Sequence, residues 1–143
     1  MLRGRIDISR NMDGGAVVLA VVDLSEEDVR AAAHAVRAVI EERFRISEMS
    51  GDDVVEMREL TALADELGEP APPGAIRTLV FSPARLKLLG DALASFAGSR
   101  ANAEWIREED REPLVRVREL LPPLGELAED ALRSAISPGA ATG

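Results

Sequence analysis

The sequence has one residue type that is well suited to proton transfer near neutral pH, a single histidine at His34. At about 100° per residue, His34 lies about 140° around the helix from Val29, which begins the apolar side of the predicted helix. We therefore predict that His34 is a residue of the solvent side or flank, not a general base. The chain has no cysteine, so disulfides, thiolate metal sites and cysteine nucleophiles are excluded.

Motifs of nucleotide-binding and acyl-transfer enzymes are missing from the sequence. The Asp-Gly-Gly segment 13–15 lacks the lysine and the spacing of a phosphate-binding loop, and no Gly-x-Ser-x-Gly motif occurs. No family signature can be matched residue by residue. The sequence therefore predicts a protein that is not an enzyme and has no cofactor.

Three clusters of acidic residues could supply carboxylate ligands. Carboxylates from several helices can hold Mg²⁺ or Mn²⁺ and activate water, which gives the hypothesis of a metal-dependent hydrolase. Each cluster, however, lies at a predicted helix start, where capping and the helix dipole already favour acids. We therefore predict no metal site; the clusters are Glu26-Glu27-Asp28, Asp52-Asp53 with Glu56, and Glu108-Glu109-Asp110.

Trp105 is the single tryptophan, and Ile106 follows it directly before a predicted helix. Two interpretations of this pair stay open. The pair either packs the start of that helix against the core or anchors a protein partner, because tryptophan is common in interface hot spots. Trp105 and Ile106 are thus the candidate partner-contact residues.

Composition places the chain among globular proteins. Its 143 residues are 46% hydrophobic and 30% charged, with a net charge of −9, which excludes a disordered chain and disfavours binding to nucleic acid or an anionic membrane. The longest apolar run, 16–22, is too short to span a membrane, and residues 1–10 have no apolar stretch typical of a signal peptide. We expect a cytoplasmic protein with one domain over 1–136 and a disordered tail over 137–143.

Three segments are typical of β-strands. Residues 2–9 alternate between apolar and polar types, as in an edge strand, whereas 16–24 is apolar on both faces, as in a central strand. The turn residues of 10–15 join these two strands into a hairpin. A third short strand is predicted over 76–81.

About five helices are predicted around these strands. Ser25 and the Ser82-Pro83 pair are expected to cap two of them, over about 26–44 and from 83 to a stop at Gly98. Another runs from Asp52 or Asp53 to Leu67. Pro122-Pro123 is expected to end or sharply kink a fourth helix and to open a fifth. The predicted fold class is α+β.

A similarity between two segments raises the hypothesis of a duplication. RELTALADEL at 58–67 and RELLPPLGEL at 118–127 are identical at five of ten positions. The predicted order strand, serine cap, helix, helix also recurs, which indicates two βαα units over 16–68 and 76–136, with 69–75 as divider. Amphipathic helices also share apolar positions by necessity, so chance similarity stays an alternative.

The two apolar faces of segment 16–24 lead to the functional hypotheses. Either helices cover both faces, or another copy of the chain covers one, which predicts a homodimer. The leading hypothesis is a non-enzymatic protein-interaction or assembly module that forms a homodimer. The alternatives are an acidic protein that shields a basic partner, such as an immunity protein, antitoxin or chaperone, and the metal-dependent hydrolase.

Overall fold

The computed structural model describes residues 2–10, 15–44, 51–72, 74–101 and 105–136. The predicted tail 137–143 and most of the predicted turn 10–15 lie outside them. The predicted α+β class is confirmed. Along the chain the elements are β1 (Arg3–Arg10), β2 (Ala16–Ser25), α1 (Glu26–Phe44), α2 (Gly51–Leu67), β3 (Ile76–Phe81), α3 (Pro83–Ala101) and α4 (Glu108–Ile136).

The three strands form one antiparallel sheet in the order β1-β2-β3. The hairpin of β1 with β2, the edge position of β1 and the central position of β2 are therefore as predicted. The register places Arg5, Val21 and Val80 in one row across the sheet, and side chains of one row point to the same face.

One face of the sheet, here called the inner face, packs against the helices. Ala20, Val22 and Leu24 of β2 belong to the apolar core together with Leu79 and Phe81 of β3. These residues pack with buried side chains of α1, α3 and α4. The core members from those helices include Val29, Val36, Leu86, Leu89, Leu93, Phe96, Leu114, Val117, Leu120 and Leu124.

A glycine on the inner face lets α4 approach the edge strand. A Cβ atom added at Gly4 would lie 2.6 Å from Cδ2 of Leu127, closer than carbon atoms normally approach. Because Gly4 has no side chain, the side chain of Leu127 has space to pack on the sheet.

Serine caps begin two of the helices, as the sequence predicts. The Ser25 hydroxyl accepts a hydrogen bond from the Asp28 backbone N–H at 3.2 Å, and Ser82 accepts the same bond from Arg85 at 3.2 Å. Each cap satisfies one of the N–H groups that a helix start leaves without an internal partner.

The prediction of five helices is wrong for the described residues, which contain four. Pro122 and Pro123 lie inside α4 and do not separate two helices. Each interior proline costs about 3 kcal/mol, but buried apolar residues follow each other at helical spacing on both sides of the pair. Burial of such side chains contributes about 1.5–3 kcal/mol each, and the row comprises Leu114, Val117, Leu120, Leu124, Leu127 and Ala131.

The duplication is not confirmed. Both segments have the order strand, helix, helix, but their second helices differ in length and in surroundings. The 17-residue α2 packs against α1 and α3, whereas the 29-residue α4 also packs against β1 and β2. In the described part of the chain, β3 reaches α2 through the Arg77 guanidinium, which donates hydrogen bonds to the carbonyls of Glu66 and Leu67 at 2.9 and 3.0 Å.

Candidate functional site

The second face of the sheet, here called the outer face, carries a different set of side chains. Two interactions show that neighbouring residues of this set share a face. The Thr78 hydroxyl donates a hydrogen bond to the Asp23 carboxylate at 2.6 Å, and Arg5 lies 3.5 Å from Asp7. The outer face consists of Arg3, Arg5, Asp7 and Ser9 of β1, Val17, Leu19, Val21 and Asp23 of β2, and Ile76, Thr78 and Val80 of β3.

The centre and one side of the outer face are apolar. Val17, Leu19 and Val21 follow each other along β2, while Val80 and Ile76 on β3 are 48% and 74% exposed. On β2, Val21 is buried at 7% exposure, although it does not belong to the core cluster of the inner face, and Val17 and Leu19 are partly exposed. The outer face therefore exposes apolar side chains mainly at Val80 and Ile76 and in part at Val17 and Leu19, and such patches mark interaction sites when they are contiguous.

Charged residues lie beside the apolar centre, in equal numbers of each sign. Arg3, Arg5 and Asp7 lie along β1, and Asp23 lies on β2 next to the apolar residues Val17, Leu19 and Val21. The Arg5–Asp7 pair is solvent-exposed, so its ion pair contributes little to folding. The face is thus locally neutral on a chain whose net charge is −9.

No protein-family model, curated protein or solved structure matches the chain. Within the described residues, no helix has both the length and the apolar character needed to cross a membrane.

A second candidate is a cluster of ionisable residues between α1, α3 and α4, here called the Asp110 cluster: His34, Glu42, Arg100 and Asp110. Nε2 of His34 lies 2.6 Å from Oδ1 of the buried Asp110, and Nε of Arg100 lies 3.3 Å from its Oδ2. Arg100 also donates a hydrogen bond to Glu42. The ring of Phe96 lies below, with the Arg100 guanidinium 4.7 Å from its centroid.

Opposite charges decide the ionisation of this cluster. Burial opposes the charged form of Asp110, but the hydrogen bond from His34 and the positive charge of Arg100 outweigh it and hold its pKa below the usual value. Burial likewise opposes the charge of Arg100, and Glu42 and Asp110 outweigh it and raise the pKa of the guanidinium. Asp110 and Arg100 therefore form an ionised pair, and with His34 and Glu42 the cluster joins three helices.

His34 also lines a cavity of about 270 Å³ between α1 and α4, together with Glu27, Arg30, Ala31, Glu112, Pro113 and Arg116. His34 is half-buried and lies at the flank of α1, where Asp110 occupies its Nε2. None of the described residues that line this cavity is a serine, threonine or tyrosine.

Sequence reasoning did not foresee the Asp110–His34 pair, because the partners are 76 positions apart. The sequence offered two signals: Asp110 is the third acid of a cluster, and His34 is off the apolar stripe. Neither signal says that the two residues meet.

The acidic clusters at the helix starts are held mainly by arginines. Asp28 lies 3.2 Å from Nη1 of Arg116, and Glu26 lies 3.2 Å from Nε of Arg30. The Asp28 hydrogen bond is the main cause that raises the pKa of Arg116. Among the described residues, no group of three or more metal-ligating side chains comes together. The side chains of Asp52 and Asp53 lie outside the described part.

The two residues of the predicted partner contact differ in their surroundings. Trp105 is 72% exposed, whereas Ile106 is partly buried against the core. Ile106 therefore provides the packing before α4. The role of Trp105 as a partner anchor stays a prediction.

Proposed function

We propose that this protein is an assembly module that forms a homodimer by packing its outer face against the outer face of a second copy. The observation that supports this proposal is the apolar part of the outer face, where Val80 and Ile76 are exposed and Val17 and Leu19 are partly exposed. In a monomer these side chains meet water, and in a face-to-face dimer they lie inside a two-sheet sandwich.

The charges of the outer face favour a second copy over a basic partner. A surface that shields a basic protein is expected to be acidic, because complementary potentials guide such association. The outer face instead carries two arginines and two aspartates, Arg3, Arg5, Asp7 and Asp23. Two such faces attract at unlike positions, and as locally neutral surfaces they add no net repulsion at the contact.

The size of the face predicts a modest affinity. Three strands about 4.8 Å apart and eight residues long at about 3.3 Å per residue span roughly 14 by 26 Å. Protruding side chains enlarge the accessible area of the face. That area still stays near or below the value of about 800 Å² per partner in a standard interface. We therefore expect a dimer with a dissociation constant on the order of micromolar, in reversible equilibrium with the monomer.

Sedimentation velocity over a concentration series tests this proposal. The mass of the parent is expected to rise from 15.3 kDa toward twice that value with concentration. Leu19→Lys places a charge at the apolar centre and is expected to stay monomeric. Asp7 is the cross-strand neighbour of Leu19, so the new lysine has an opposite charge beside it and the fold is expected to persist.

A matched control uses an apolar residue outside the outer face. Val115 of α4 is 57% exposed, and Val115→Lys makes the same kind of change there. It is expected to dimerise as the parent does, and circular dichroism checks that both variants fold. A parent that keeps a mass of 15.3 kDa up to several hundred micromolar would overturn the proposal.

The other hypotheses from the sequence stay predictions. Shielding of a basic partner rests on the net charge of −9 alone. The metal-dependent hydrolase rests on the acidic clusters, of which Glu26, Asp28 and Asp110 pair with arginines in the described structure. Co-purification of a basic protein and elemental analysis of protein purified without chelator are their respective tests.

A further inference from the structure

We infer that the two copies of the proposed homodimer are related by a twofold axis that runs perpendicular to the strands, between the Arg5 row and the Asp7 row. Arg5 of each copy then faces Asp7 of the other. This inference rests on the proposed function and defines its geometry. It follows from the order of charges on the outer face.

The outer face consists of four rows with a definite charge in each. The sheet register places Arg3 beside Asp23, Arg5 beside Val21, Asp7 beside Leu19 and Ser9 beside Val17. Successive rows are two residues apart along the strand, or about 6.6–6.8 Å. Along β1 the order is therefore positive, positive, negative, neutral.

A twofold axis parallel to the strands is disfavoured by Asp23. Such an axis superimposes β2 on β2 of the second copy without reversing the rows, so Asp23 lies opposite Asp23. It also places Arg5 opposite Val80 of the second copy, which leaves the arginine without a carboxylate. Like charges that face each other in an interface lower affinity.

An axis perpendicular to the strands reverses the order of rows, and its position decides which residues meet. An axis at the Arg5 row places Arg5 opposite Arg5, and an axis at the Asp7 row places Asp7 opposite Asp7. An axis between the Arg3 and Arg5 rows places these two arginines opposite each other. The position between the Arg5 and Asp7 rows avoids all of these like-charge pairs.

The same position also brings the apolar residues together. Val21 then lies opposite Leu19 of the second copy, and the contact occurs twice by symmetry. Packed sheets are about 10 Å apart, a gap that an arginine and an aspartate side chain can bridge from opposite faces. The apolar centre and the two ion pairs therefore fit one arrangement.

A charge-complementation experiment tests this geometry. Arg5→Glu leaves two acids at positions 5 and 7, and Asp7→Arg leaves two arginines, so each variant alone is expected to dimerise at least about tenfold more weakly than the parent. An equimolar mixture restores unlike pairs across the interface. It is expected to form heterodimers with a dissociation constant within about threefold of the parent value, measured by sedimentation and native mass spectrometry.

Arg3→Glu is the matched control, because it makes the same charge change on the same strand and face. In the inferred arrangement Arg3 faces Ser9 of the second copy, so this variant is expected to weaken the dimer by less than about threefold. Circular dichroism and thermal unfolding confirm that all variants fold.

The outcomes separate this inference from the proposed function. If the parent dimerises, Leu19→Lys abolishes the dimer, and Arg5→Glu and Asp7→Arg each dimerise like the parent, the inferred axis is wrong while the outer-face dimer stands. If Arg3→Glu is the most damaging change, the axis passes through the Arg5 row and the inference is likewise overturned. If the parent is monomeric, both proposals fail.

Discussion

Asp110 is a buried carboxylate whose pKa is lowered, so it is ionised in the folded chain. Removing its charge leaves the polar groups of His34 and Arg100 with a weaker acceptor. We expect Asp110→Asn to lower the free energy of unfolding by about 1.5–3 kcal/mol. Urea denaturation at neutral pH measures this change.

Asp91 provides the matched control for that substitution. Its carboxylate is 65% exposed and pairs with Lys87 one helical turn away, an arrangement that contributes little in water. Asp91→Asn is therefore expected to change the free energy of unfolding by less than about 0.5 kcal/mol. If Asp110→Asn lowers the free energy of unfolding as little as Asp91→Asn does, the charge of Asp110 does not stabilise the fold.

The lowered pKa of Asp110 also predicts a pH dependence. Because the pKa of this carboxyl lies lower in the folded chain than in the unfolded chain, the unfolded chain binds the proton first as the pH falls. The stabilisation is complete above the unfolded value of about 3.9 and is lost as the pH falls through the folded value. The difference in unfolding free energy between the parent and Asp110→Asn should thus shrink below about pH 4. A constant difference from pH 6 to pH 2 would contradict this assignment.

At the scale of elements, the adjacent prolines Pro122 and Pro123 inside α4 test how this helix is stabilised. Pro122 is exposed, so its replacement changes the free energy of unfolding mainly through the backbone. We expect Pro122→Ala to raise the free energy of unfolding by about 1–2 kcal/mol, because the gain of up to about 3 kcal/mol in the helix is offset by about 0.4–1 kcal/mol of unfolded-chain entropy. Thermal and urea denaturation measure the change.

Pro83 is the control for this prediction because it is the first residue of α3. Proline is favoured at that position, where the missing N–H has no partner within the helix. Pro83→Ala is therefore expected to be neutral or slightly destabilising. A loss of stability in Pro122→Ala would mean that the proline is needed to shape α4.

The sequence predicts well those elements whose formation depends on neighbouring residues. The hairpin, the third strand and the caps at Ser25 and Ser82 depend on neighbouring residues, and the structure confirms them. The ends of α3 and α4 depend on distant residues. α3 continues past Gly98 to Ala101, and within its last turn Arg100 binds Asp110 and Glu42, contacts that local spacing cannot reveal.

The candidate surface was predictable only in part, for a reason that belongs to the whole molecule. The apolar residues of 16–24 predict that both faces of β2 avoid water. They do not specify whether helices or a second copy provide the cover, because both present the same apolar environment. The packing divides the strand: Ala20, Val22 and Leu24 join the core cluster, whereas Val17 and Leu19 stay partly exposed. Val21 is buried outside that cluster.

The proposed dimer also predicts how stability depends on concentration. If only folded chains associate, each chain gains a free energy of RT ln(1 + [L]/Kd), which is about 2.7 kcal/mol when the free protein is at about 100 times Kd. The urea midpoint of the parent should therefore rise with protein concentration. The midpoint of Leu19→Lys should stay constant over the same range, while that of Val115→Lys should rise as in the parent. The contrary result is a dimer in sedimentation together with a parent urea midpoint that does not change with concentration. That result would show that association does not require the folded outer face, because a dimer of folded chains adds its binding free energy to the stability of the fold.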